Sequence, residues 1–196
     1  MALSESTPDG NPVETGINEF ALVIYVPGPL GPYLDRMRQR VAPWMPPGRS
    51  HVTILQPRPI SKEPADVWSA LFRRTALHRP FMIEPSGVDV FGGSGVIHLG
   101  IETGANELGR LHLDLNKGGV SHAEPYPFHP HITIAQGLEG VELERAVETC
   151  QRLWDDYEGP RSFRVQRFYF VQNTVFNLWM DLAEMDLRGG GDWGQN

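Results

Sequence analysis

Apolar positions recur with two different periods along this chain, and the switches between them mark out a series of strands and helices. Residues 19–26, EFALVIYV, form a β-branched and aromatic run that stops at Pro27-Gly28-Pro29, which predicts a well-buried strand and a turn. A helix is expected over 33–41, with Asp35, Arg36 and Arg38 outward, ending before Pro43, Pro46 and Pro47. Residues 50–56, SHVTILQ, alternate with a period of two between Gly48 and Pro57, and a helix over 63–78 then turns Val67, Ala70 and Leu71 toward a core. Two strand-like runs, 81–91 and 95–101, flank the hairpin signal Gly92-Gly93-Ser94. A helix over 106–117, a turn-rich stretch 118–130, a strand 131–136, a helix 141–157 and strands over 163–171 and 175–187 complete the series. Most connections are too short for a layered parallel sheet, so the pattern predicts an α+β fold with antiparallel sheets.

The flanks read differently. Residues 1–17 are rich in Ser, Thr, Pro, Gly and acid, and have neither the basic nor the apolar region of a signal peptide, so they are expected to be a disordered tail. Residues 188–196, with three consecutive glycines, are expected to be a second flexible tail, which leaves 18–187 as one folded domain. Hydrophobic residues at 40% and charged residues at 21% are ordinary globular usage. No run approaches the roughly 18 apolar residues of a membrane span, so no membrane partner is expected. The single cysteine, Cys150, excludes an intramolecular disulfide and a thiolate zinc site; it reads as a small buried apolar residue of a protein kept in a reducing, cytoplasmic compartment. Seventeen basic residues against 24 acidic ones give a formal charge of −7, the wrong balance for coating a long duplex by counterion release. A small phosphorylated ligand held by local donors fits that charge, and a monomer is expected.

One repeat stands out. His51-Val52-Thr53-Ile54-Leu55-Gln56 and His131-Ile132-Thr133-Ile134-Ala135-Gln136 match at His, Thr, Ile and Gln in a chain with only 7 histidines. On a strand, residues i and i+2 share a face, so each copy offers an imidazole and a hydroxyl together while Val52, Ile54, Ile132 and Ile134 point into the core. Two such strands related by a pseudo-twofold place two imidazoles across a cleft with hydroxyl donors between them, an arrangement suited to an anionic tetrahedral centre such as a phosphodiester. Histidine titrates near 6.5, so one neutral imidazole can take a proton while its protonated partner gives one, with an optimum near neutrality. Thr53 and Thr133 are placed to hydrogen-bond the non-bridging oxygens. This design requires no metal and no cofactor.

On these paired H-h-T-h motifs the chain resembles the two-histidine (2H) phosphoesterase superfamily, which includes the 2′-5′ RNA ligase-like proteins and cyclic phosphodiesterases. The resemblance runs from the first strand through Pro130-His131-Ile132-Thr133 to the closing strands around Trp179. It implies a bilobal fold, with two antiparallel sheets related by a pseudo-twofold and helices on the outside. It also implies metal-independent opening of 2′,3′-cyclic or related cyclic phosphates, or cleavage of 2′-5′ linkages, of a nucleotide or RNA end through His51, Thr53, His131 and Thr133.

Other residues invite attention around the motifs. Arg49, two residues before His51, could reach phosphate with its planar fork. Tyr126 and Phe128, upstream of the second motif, could stack on a base or could anchor their loop by packing. His129 and His131 could instead be two zinc ligands, with His51 or His122 as a third. His98, between Ile97 and Leu99, is expected on the opposite strand face as a satisfied histidine near the sheet surface, and His112 as a packing residue of its helix. A nucleotide- or RNA-end-binding module without turnover is the alternative to an enzyme, although arginines hold phosphate better than neutral imidazoles.

Overall fold

The computed structural model describes residues 16–189. In chain order the elements are β1 (Gly16–Tyr25), α1 (Leu30–Val41), β2 (His51–Arg58), α2 (Pro64–Thr75), β3 (Phe81–Phe91), β4 (Val96–Thr103), α3 (Ala105–Leu115), β5 (His131–Ala135), α4 (Gly140–Asp155), β6 (Phe163–Val165), β7 (Arg167–Thr174) and β8 (Trp179–Asp186), with a single 3-10 turn at Gly118–Val120. The fold is α+β, as the periodicity predicts. Every strand pairing is antiparallel, and the strands lie in the order β6-β3-β4-β5-β2-β1-β7-β8. The two sheets anticipated from the repeat are thus four-stranded halves of one continuous order, joined where β2 meets β5 at Val52 and Ile132.

That order forces curvature. Residue Gln166 alone separates β6, at one end of the order, from β7, six strands away. Six spacings of a flat sheet are about 29 Å at ~4.8 Å each, whereas one extended residue reaches only about 3.5 Å. The sheet therefore curls until its far regions meet. The same crossover explains why 163–171, which reads as one strand, is two: Phe163 and Val165 pair with β3 in one half, while β7 pairs with β1 and β8 in the other.

The core lies on the face of Leu22, Ile24, Val52, Ile54, Ile132 and Ile134, all buried together with the inner faces of the helices. α1 packs on β5 and α4, while α3 packs on β2 and α2, so each motif strand rests on a helix that belongs to the opposite side of the repeat. α1 begins three residues earlier than its periodicity suggests, directly after Pro29, and buries Leu30, Gly31, Leu34 and Met37. At the amino end, Gly16 and Ile17 belong to β1 and not to the tail: Gly16 pairs with Thr174, and the Gln172 side-chain amide donates to the Ile17 carbonyl at 2.9 Å. At the carboxyl end, Gly189 of the expected tail is held as well, its amide donating to the His78 carbonyl at 3.0 Å, and residues 1–15 and 190–196 of the two expected tails lie outside the described residues. β8 starts at Trp179, because residues 175–178 form the turn that reverses the chain after β7.

Candidate active site

The pairing of Val52 with Ile132 decides the geometry. In an antiparallel pair, directly opposed residues share a face, and one step either way reverses it. With Val52 and Ile132 in the core, His51, Thr53, His131 and Thr133 all project from the other side of the sheet. Carrying the register one step sets His51 against Thr133 and Thr53 against His131. A half-turn about the midpoint of the Val52–Ile132 pair exchanges the two motifs, and all four side chains are half-buried.

Both imidazoles are oriented by the same device. His51 Nδ1 lies 2.7 Å from the Arg49 carbonyl and His131 Nδ1 lies 2.7 Å from the His129 carbonyl, each two residues upstream. A carbonyl can only accept, so Nδ1 carries the proton and donates, and Nε2 of each neutral ring is left with a lone pair. Both histidines titrate below their ordinary value, first because burial penalises the imidazolium. The carbonyl bonds oppose this. Arg38 and Arg49 add to the depression at His51, and His98, His129 and His51 itself add to it at His131.

The surroundings of the two rings differ. Tyr25 faces His51 across the β1–β2 pair, the rings edge-on at 6.3 Å. The Tyr25 hydroxyl donates to Asp181, whose other oxygen takes the Arg49 guanidinium, and that guanidinium sits 3.4 Å over the Tyr25 ring, which also leans on Tyr169 at 4.6 Å. Burial and the bond to Asp181 push the phenol up to about 12. Arg49 is therefore brought to the rim of the site, as its position before His51 suggests, but already paired.

On the other side, His98 opposes Thr133 on β4 and shares its face. The sequence places His98 correctly away from the core face of Ile97 and Leu99. Its expected surface position is corrected by the curl: the ring is only 1% exposed, stacks on Phe91 at 3.8 Å and lies 5.4 Å from His131. Phe91 in turn meets His131 and His129 edge-on at 4.8 and 5.2 Å. Sequence reasoning assigned no role to Tyr25, Asp181 or Phe91, because strand pairing and not local spacing brings them in.

The loop before the second motif is pinned by buried charge. Arg58, at the end of β2, pairs with Glu124 and donates to Asn116 at 2.8 Å, to the Val120 carbonyl at 3.2 Å and to the Gln56 carbonyl at 2.8 Å. His112 Nδ1 donates to the Ile54 carbonyl at 2.9 Å, and its ring stacks on Phe128 at 4.2 Å. Phe128 thus packs on α3, while Tyr126 is exposed. On the opposite side, the loop before the first motif is held by hydrogen bonds: the exposed Trp44 indole donates to the Gln136 carbonyl at 3.3 Å, Arg38 donates to the Gly48 carbonyl at 2.9 Å, and the Ser50 amide and hydroxyl both donate to Asp35 at 2.7 Å. His122 is tied to Asn116 through its backbone. Among the described residues, no three His, Cys, Asp or Glu side chains come together in a group that could hold a metal ion. Cys150 is fully buried and its thiol is pushed up to about 12, which leaves it a packing residue.

The model of the 2′-5′ RNA ligase superfamily matches residues 26–175, a span that contains both motifs. The chain belongs to the 2′-5′ RNA ligase superfamily. Among solved structures, Escherichia coli LigT complexed with ATP is similar at 19% identity with a TM-score of 0.54, covering 88% of this chain and 99% of that one. LigT complexed with 3′-AMP is similar at 18% identity and a TM-score of 0.53, with 87% and 98% covered. A crystal structure described as a phosphoesterase is similar at 18% and 0.52 over the same shares of the two chains. At these identities the likeness is one of fold. No curated protein sequence matches the chain. Among the described residues, no helix is long and apolar enough to cross a membrane.

Proposed function

We propose that this superfamily member is a metal-independent phosphodiesterase that hydrolyses 2′,3′-cyclic or related cyclic phosphates, or 2′-5′ linkages, of nucleotides or RNA ends. The observation that carries the proposal is the pair of imidazoles on adjoining strands, each with Nδ1 donating to the carbonyl two residues upstream and Nε2 left to exchange a proton. Two identically presented proton carriers are what in-line displacement at phosphorus needs, and a binding module has no use for them. That LigT has been solved with ATP and with 3′-AMP supports a nucleotide as the ligand class.

In the proposed reaction, one Nε2 takes a proton from water as its oxygen attacks phosphorus. The bond from phosphorus to the ribose oxygen breaks, and the protonated partner imidazole donates to that oxygen. The Thr53 and Thr133 hydroxyls donate to the non-bridging oxygens, whose charge grows in the transition state. Burial keeps both free imidazoles neutral at pH 7. The singly protonated pair therefore becomes populated below histidine's ordinary value of about 6.5, and the bound phosphodiester anion favours that second proton.

The test is hydrolysis of 2′,3′-cyclic mononucleotides and 2′-5′ dinucleotides in the presence of chelator. Turnover that survives EDTA is expected. Loss with EDTA and return with zinc would overturn the metal-free reading, and tight nucleotide binding without hydrolysis of any substrate would leave a binding module.

A further inference from the structure

Across the pseudo-twofold, the position flanking each motif histidine on the outer neighbouring strand is filled in opposite ways. His51 is opposed by Tyr25 on β1, and His131 is opposed by Gly100 on β4. Tyr25 brings a ring capped by Arg49, leaning on Tyr169 and tied to Asp181, so the His51 end is walled. Gly100 brings nothing. A side chain begun there would meet one neighbouring atom, the Ser86 hydroxyl oxygen at 2.7 Å, and otherwise open space within 4 Å. Ser86 is itself exposed. The site that the repeat makes symmetric in its imidazoles is therefore asymmetric in its room.

We infer that the notch over Gly100 and Ser86 receives the nucleoside portion of the substrate, so that the sugar and base lie on the His131 side while the walled His51 side admits only something as small as water. This rests on the phosphodiesterase reading and adds an orientation to it. A phosphodiester held between the two imidazoles carries its bulky substituent on one side of phosphorus, and residues opposed across an antiparallel pair have Cβ atoms only about 5 Å apart. A sugar attached at phosphorus on the His131 side arrives where the Gly100 side chain would have been. The Ser86 hydroxyl is at hand there as a partner for a sugar hydroxyl, and the half-buried Phe91 ring borders the same histidine. Gly100 acts here as a specificity-determining residue through the atoms it lacks.

Gly100→Leu tests this with two substrates that share the strained five-membered cyclic phosphate: adenosine 2′,3′-cyclic phosphate, and ethylene phosphate, which has no sugar or base. The ratio of kcat/KM for the adenosine substrate to that for ethylene phosphate is expected to fall tenfold or more, chiefly through KM. Gly100→Ala, whose methyl meets only the rotatable Ser86 hydroxyl, is expected to move the ratio a few-fold in the same direction and serves where the leucine variant does not fold. Tyr25→Ala is expected to leave the ratio within twofold. An unmoved ratio in both glycine variants, or a larger change from Tyr25→Ala, would overturn the assignment. Should the wild type hydrolyse neither substrate nor any 2′-5′ dinucleotide, the phosphodiesterase reading fails while the notch is still tested by calorimetry. Gly100→Leu then has to weaken adenosine 3′-phosphate tenfold more than inorganic phosphate, and equal weakening of the two sinks the notch.

Discussion

The two motif strands are near copies in sequence and in hydrogen bonding, but the regions that carry them are built unlike each other. The first region surrounds His51 with a phenol, a guanidinium and a carboxylate held in mutual contact; the second surrounds His131 with two further histidines and a phenylalanine beside an empty glycine position. The loops that enter the motifs differ as well, one pinned by a buried ion pair and the other by hydrogen bonds from Trp44, Arg38 and Ser50. Their difference teaches that a duplicated unit can keep its reacting groups equivalent while its neighbours diverge to make the substrate lie one way round. Strand pairing is indifferent to what the adjacent strand carries on that face.

The largest effect expected is on the shared part. His51→Ala and His131→Ala should each lower kcat by about 10² to 10⁴, and the double variant should lose far less than the product of the two, because the pair acts as a unit. Single-turnover rates of the three variants check this, and a wild-type rate in either single variant would break the equivalence of the halves. Next comes the loop latch. Arg58→Met strands the Glu124 carboxylate, itself only 6% exposed, without its cation and should cost about 3–5 kcal/mol of stability; adding Glu124→Leu should restore much of that loss. Removing one of the hydrogen bonds of the other loop, with Trp44→Phe, should cost only about 0.5–1.5 kcal/mol. Chemical denaturation of the four proteins measures both, and equal losses would erase the contrast drawn between the loops.

The threonines come third. Thr53→Val and Thr133→Val keep the β-branched shape and remove the hydroxyl, so turnover should drop about tenfold to a hundredfold with melting temperatures little changed. Unaltered kcat in both would remove the hydroxyls from the reaction.

The smallest expected effect concerns acid. His51, His98 and His131 all have folded-state values below the unfolded one of about 6.5. The unfolded chain therefore binds more protons than the folded one as pH falls past that value, and stability is lost in that direction. Thermal melts should show a lower midpoint at pH 5.5 than at pH 7.5, and a midpoint that rises on acidification would contradict the burial of these rings. By the same depression the bell-shaped profile of kcat/KM should peak on the acid side of neutrality. The expected optimum thus shifts from the neutral position that unperturbed histidines predict.

The sequence made the motif strands legible because period-two alternation states which residues share a face, and because the repeat singles out His and Thr from the background. It made Arg49 legible by its distance of two residues from His51, which on an extended chain returns to the same side. Tyr25, Asp181 and Phe91 were out of reach, and so was the neighbourhood of His98, because their place depends on which strands are neighbours, and neither β1 beside β2 nor β4 beside β5 is stated by any local pattern. The break at Gln166 leaves a mark, because the apolar alternation of Phe163 and Val165 slips by one residue at Gln166-Arg167 before it resumes at Phe168 and Phe170, but that slip does not say that the two pieces join different halves of the sheet. Phe128 illustrates a residue type that suits two tasks: an aromatic beside a motif reads equally as a base platform or a loop anchor, and its stack on the His112 ring depends on a helix that no local pattern places beneath it.

The strand order also sets a timetable for synthesis. The half that carries the second motif is drawn from one continuous stretch, β3 to β6, whereas the half that carries the first is split, with β1 and β2 made early and β7 and β8 last. A ribosome that has just delivered Val165 has released every strand of the second half, yet β1 still lacks its outer partner and Ala21, Val23 and Tyr25 still lack the Val171 and Tyr169 that cover them. An unpaired edge of that kind invites pairing with other chains, and it closes only when the final strands emerge. Those strands then fasten both places where the chain passes between the halves, Leu187 donating to the Gln166 carbonyl at 2.8 Å and Gly189 to that of His78 at 3.0 Å. A chain halted near residue 165 leaves that edge open, and a chain that ends before Leu187 never closes the seam.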